Sequence, residues 1–77
     1  MPFWRKEKQL LPRRDRIKNL SPNDLYNWSE NLIYETGRYM NHWRKGGGEN
    51  AILEAEKQIE ALLEVCNEIR ARERLQL

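Results

Sequence analysis

Few residues in this chain could move a proton, attack a carbon or hold a metal, and their spacing limits what they can do. His42 is the only histidine. At 100° per residue it projects onto the polar side of its helical segment, with no serine or cysteine placed to use it as a base. Glu35 and Arg38, three residues apart on that side, read as ordinary surface neighbours on a helix. Cys66 is the only cysteine, so neither an internal disulfide nor a Cys/His zinc site can form around it. On the helical projection it falls in an apolar stripe, where a free thiol acts as a small hydrophobe. Glu54, Glu60, Glu64 and Glu68 share one face with Lys57, but carboxylate metal centres draw ligands from several helices and include histidine. That face is expected to be solvated, and its carboxylates would repel phosphate in a DNA groove. No cofactor and no metal are expected, and the chain reads as non-enzymatic.

Two further segments invite a chemical reading. Gly46-Gly47-Gly48 follows Arg44-Lys45 and precedes a helix start, which suggests a phosphate cradle. A P-loop, however, places its lysine after the glycines, and a dinucleotide fingerprint needs a preceding strand. Neither context exists, so the glycines are expected to form a simple interhelical turn. Phe3-Trp4-Arg5-Lys6 sets two aromatics beside cations, a combination suited to stacking on bases, to a lipid interface or to an apolar pocket rimmed by acids. The competing reading is a tail that folds its own aromatics over the helices.

The elements that must position these residues are legible from caps and breakers. Ser21-Pro22-Asn23-Asp24 supplies an N-cap acceptor, a proline at the first helical position and a carboxylate in the first turn. Leu20 just before the cap could meet Leu25 or Tyr26 as a hydrophobic staple. A helix is expected over 22–45, ended by the glycine loop 46–48 with Arg44 and Lys45 favourable for the dipole. A second helix is expected over 50–74, since nothing from Ala51 onward breaks it. A short extra helix from Arg13 to Asn19 is also compatible with the sequence.

Both long segments carry an apolar stripe. On the first it is Leu25, Trp28, Leu32, Thr36, Tyr39 and Trp43; on the second it is Ile52, Ala55, Ile59, Leu62, Cys66 and Ile69. Closing the glycine loop pairs Trp43 with Ile52, Tyr39 with Ala55, Thr36 with Ile59, Leu32 with Leu62, Trp28 with Cys66 and Leu25 with Ile69. Each pair of numbers sums to 94 or 95, and large side chains face smaller ones. The expected fold is therefore all-α: an antiparallel two-helix hairpin, coiled-coil-like, over residues 21–77, behind a basic N-terminal arm over residues 1–20.

Composition bounds the rest. With 77 residues there is room for one domain, and 34% charged against 39% hydrophobic residues suits a helical protein with a wet outer surface. No apolar run approaches the ~20 residues of a membrane span, and no signal peptide is recognisable, so the expected address is cytoplasmic, or a particle assembled in the cytoplasm. The net charge of +2 divides into seven basic and two acidic side chains over residues 1–20 and seven basic and ten acidic over the remainder. A basic arm on a mildly acidic body points to an anionic contact for the arm.

A two-helix core leaves Tyr26, Ile33 and Met40 beside the seam, with Gly37 among them and Leu63 on the second helix. They are expected to be covered, by Phe3, Trp4, Leu10, Leu11, Ile17 and Leu20 of the arm, by a second copy, or by a larger protein. The expected role is an interaction or assembly protein: an accessory subunit of a complex, a virion included, or an inhibitor-like binder. Its expected partner-binding residues are Phe3, Trp4, Arg5, Lys6, Arg13, Arg14, Arg16, Tyr26, Ile33 and Met40. The alternative is nonspecific nucleic-acid binding, with phosphates neutralised by Arg13, Arg14, Arg16 and Lys18. Membrane attachment lacks the long apolar face that interfacial anchors use.

Overall fold

The structure, a computed structural model, describes the backbone of residues 13–75 and the side chains of residues 16–75. The described residues are all-helical: α1 (Arg13–Lys18), α2 (Pro22–His42), a five-residue π-type turn (Trp43–Gly47) and α3 (Gly48–Leu75). The short first helix thus forms where the sequence allowed it.

α2 starts as its cap residues dictate. Ser21 is extended (φ −66°, ψ 160°) and its hydroxyl accepts from the backbone N–H of Asp24 at 3.1 Å, with Pro22 in the first turn. The helical course then runs through Trp43 and Arg44 before leaving helical dihedrals at Lys45 (φ −92°, ψ 15°) and Gly46 (φ 99°, ψ 16°); Gly48 follows at φ 74°. Positive φ at Gly46 and Gly48 is inexpensive only for glycine.

That turn changes the direction of the chain. A straight helix through 21, 5 and 28 residues would be about 80 Å long, whereas the longest dimension is 46 Å. The chain therefore bends at the turn, and Leu25 and Leu32 of α2 share one buried cluster with Ala61 and Val65 of α3 and Ile17 of α1. Leu20, Trp28 and Leu62 pack against that cluster. At the far end, the Arg72 guanidinium donates to the carbonyls of Ile17, Lys18 and Leu20.

The core of α2 follows the expected stripe except at one end. Leu25 and Leu32 are buried and Trp28, Thr36 and Tyr39 partly so. Thr36 is accommodated because its hydroxyl donates to the Leu32 carbonyl at 2.8 Å. Trp43 is the exception, half exposed at the turn.

On α3 the expected stripe holds at Ala55, which is buried, and in part at Ile52 and Leu62, and is corrected by one position elsewhere. The buried residues are Ala51, Ala55, Ala61 and Val65, whereas Ile59 and Ile69 are about two-fifths exposed and Cys66 is exposed. The pairings of Thr36 with Ile59, Trp28 with Cys66 and Leu25 with Ile69 therefore do not form the core. Leu32 and Leu62 do meet in one cluster. The physical reason is that alanines let the two backbones approach closely around the bulky Leu25, Trp28 and Leu32, while the wider isoleucines are turned to the side of the seam.

Candidate interaction surface

The exposed apolar residues form a pattern with heptad spacing. In α2, Leu25, Leu32 and Tyr39 recur every seven residues on the inner side, and the residue after each is Tyr26, Ile33 and Met40. In α3, Ala51, Gln58 and Val65 recur in the same way, and the residue after each is Ile52, Ile59 and Cys66. One residue further along a helix is 100° further round it. In an antiparallel pair the same rotation on both helices places the two trios on one side of the seam.

The exposures agree with that placement. Tyr26 is 59% exposed, Ile33 58% and Met40 45%; Ile52 is partly buried at the inner margin. Leu63 (59%) and Ile69 (40%) extend the patch along α3. Gly37 lies within the α2 stripe, and a Cβ built there would meet nothing within 4 Å. A contiguous apolar face of this kind is uncommon on a protein that functions alone.

The opposite side of the seam is covered. Trp28 lies 60° behind Leu25 on α2, and Glu64 and Glu68 lie behind Val65 on α3. α1 sits there, with Ile17 only 2% exposed, and with Ile17 and Lys18 bordering a shallow groove shared with Glu64, Asn67 and Glu68. Arg16 lies over the Trp28 ring, 5.1 Å from its centroid. Glu68 accepts from Arg72 Nε at 2.7 Å, so this carboxylate belongs to the contact between α1 and α3 and not to an open solvated face. Ile17 and Leu20 thus do pack on the helices, but on the side away from Tyr26, Ile33 and Met40.

Placement of the expected partner-binding residues is mixed. Tyr26, Ile33 and Met40 come together on the uncovered face. Arg16 does not fit the expected role: it is 8% exposed, so its guanidinium is a packing element over Trp28 and is not presented to phosphate. Phe3, Trp4, Arg5 and Lys6 lie outside the described residues, as do Leu10 and Leu11 and the side chains of Arg13 and Arg14. Arg72 and Val65 were not singled out from the sequence. The signal for both was the strict seven-residue recurrence of Ala51, Gln58, Val65 and Arg72, which the larger isoleucines masked.

Electrostatics around the face are those of an ordinary helix surface. The Tyr26 phenol hydrogen-bonds to the Glu30 carboxylate, which holds its pKa above the usual value, so the phenol is uncharged at neutral pH. Arg38 donates to Glu35 at 2.8 Å and lies 4.7 Å from the Tyr39 ring centroid; that hydrogen bond holds the Glu35 carboxyl below its usual range. The glycine turn borders an open hollow lined by Arg38, Asn41, His42, Lys45, Gly46 and Gly47, too shallow to enclose a ligand. Among the described residues no three His, Cys, Asp or Glu side chains converge as metal ligands would, and no helix there is long and apolar enough to cross a membrane. Compared with protein-family models, with curated proteins and with solved structures, the chain has no significant match.

Proposed function

We propose that this chain is a small non-enzymatic interaction protein whose scaffold is an antiparallel, coiled-coil-like helical hairpin. The hairpin presents an apolar face to a protein partner, while the basic arm docks alongside. One observation carries the reading: Tyr26, Ile33 and Met40 are each between 45% and 59% exposed in a single stripe, and α1 packs on the other side. Burying such side chains is worth around 1.5–3 kcal/mol each, a large share of the stability of a chain this size. The setting this reading favours is a subunit of a larger assembly in the cytoplasm or in a particle formed there.

Affinity capture from the native source tests it, using the whole chain and an Ile33→Glu, Met40→Glu variant. The reading expects a protein recovered by the first and absent from the second. The rival reading, nucleic-acid binding by the arm, draws on the excess of basic residues over 1–20. It expects recovered nucleic acid whose affinity falls steeply with salt. Neutralising Arg13 and Arg14 should then reduce the salt slope by about 0.9 for each phosphate that no longer has a cationic partner. Arg16→Gln should leave that slope unchanged, because its guanidinium is buried.

A further inference from the structure

We infer that the occupant of the uncovered face is a second copy of this chain, forming a four-helix bundle in which each α2 packs on the partner's α3. This rests on the interaction-protein reading above and names the partner for the same face. The first argument is register. Tyr26 and Cys66, Ile33 and Ile59, and Met40 and Ile52 stand level across the seam, each pair of numbers summing to 92, the value also given by the Arg72 to Leu20 hydrogen bond. The face is therefore built in three layers centred on Ile33 and Ile59. A two-fold axis along the bundle superposes each layer on its own copy, setting Tyr26 against the small Cys66 and Ile33 against Ile59.

Area is the second argument. About 20 residues of each helix at 1.5 Å rise, across two helices each about 10 Å wide, project to roughly 600 Å². Accessible area exceeds projected area, which brings each copy near the ~800 Å² per partner of a stable interface. Charge is the third, and it selects the arrangement. Residues 22–45 hold three acidic and three basic side chains, whereas residues 48–75 hold seven acidic and four basic. Packing α3 on α3 would oppose two acidic helices; packing α2 on α3 sets each acidic helix against a neutral one. Gly37 then comes level with Ala55 and Glu56 of α3, where its missing side chain lets the partner's helix approach.

Sedimentation equilibrium of the purified whole chain is expected to show a dimer at micromolar concentration. Ile33→Glu and Ile59→Glu should each weaken it at least tenfold while leaving the far-ultraviolet circular dichroism unchanged, since both side chains are exposed within one chain. Disulfide trapping reads the arrangement. In a Cys66→Ser background, chains carrying Ile33→Cys and chains carrying Ile59→Cys should crosslink when mixed and oxidised, and far less when oxidised separately. Crosslinking of each chain only with itself would overturn the α2 on α3 arrangement. A chain monomeric at every concentration would overturn self-association altogether, and would leave the interaction-protein reading standing if capture of a protein still depended on Ile33 and Met40.

Discussion

Arg72, in the last turn of α3, donates through Nη2 to the carbonyl of Leu20 at 2.7 Å, fifty-two positions back along the chain. The same nitrogen also approaches the carbonyls of Lys18 at 3.2 Å and Ile17 at 3.3 Å. At the end of α1 the Ile17 carbonyl accepts from the Leu20 N–H at 3.2 Å, and the guanidinium adds a donor there and supplies one to the carbonyls of Lys18 and Leu20. Glu68 steadies Arg72 from one turn earlier. Hydrogen bonds from a charged group are worth about 1.5–3 kcal/mol, so Arg72→Ala should lower stability by an amount of that order. It should also expose the amides of residues 17–20 to exchange. Hydrogen–deuterium exchange reads this directly, and unchanged protection there would contradict the role assigned to Arg72.

The position of the core is tested by neighbours on α3. Val65 is fully buried and Cys66 is exposed, so Val65→Ala should cost about 1–3 kcal/mol and Cys66→Ala little in the isolated chain. Leu32→Ala should cost about 2–5 kcal/mol. Leu62→Ala should cost less, because Leu62 is only partly buried. A double-mutant cycle should find the two leucines coupled. Thermal unfolding of the four variants settles the order; a larger loss at Cys66 than at Val65 would restore the stripe expected from hydrophobicity alone.

Part of this fold is legible in the sequence because its signals are local. Ser21, Pro22 and the three glycines are of that kind, and the start of α2 and the turn after it follow from them without reference to the rest of the chain. The stripe on α2 was legible because Leu25, Leu32 and Tyr39 are both large and regularly spaced. On α3 hydrophobicity points to Ile59, Cys66 and Ile69, whereas the seam selects Ala51, Ala61 and Val65 beside the expected Ala55, so that the helices can approach. Arg16 illustrates the same limit. Its charge suggested an anionic partner, and only the position of Trp28 across the cluster shows that its stem and guanidinium are used for packing.

The glycines should separate into two classes. Gly46 has φ 99°, so Gly46→Ala should destabilise by about 1 kcal/mol or more through backbone strain alone. Gly37 is helical with open space where a Cβ would go, so Gly37→Ala should stabilise the single chain by about 0.5–1 kcal/mol. Denaturant titration of both at low protein concentration checks the signs. A destabilising Gly37→Ala under those conditions would mean that the space beside Gly37 is occupied within the chain.

Acid titration offers a local check on the outer side of α2. Arg38 holds the Glu35 carboxyl below its usual range, so the pair's contribution to stability is present above the unfolded carboxylate pKa and is lost as pH falls through the lowered folded value. Arg38→Gln should return the Glu35 titration, followed by nuclear magnetic resonance, towards the ordinary carboxylate range. An unchanged titration would show that the hydrogen bond does not persist in solution.

Hydroxyl-radical footprinting of Tyr26 and Met40 tests the central claim most directly, because phenol and thioether side chains are reactive reporters placed on the proposed face itself. The comparison is between the chain in concentrated extract of its native source and the purified chain at high dilution. Interaction through this face predicts that both residues are oxidised readily in the dilute chain and protected in the extract, while Tyr34, 66% exposed and on the far side of α2, reacts equally in both. Equal oxidation of Tyr26 and Met40 in the two states would contradict the account.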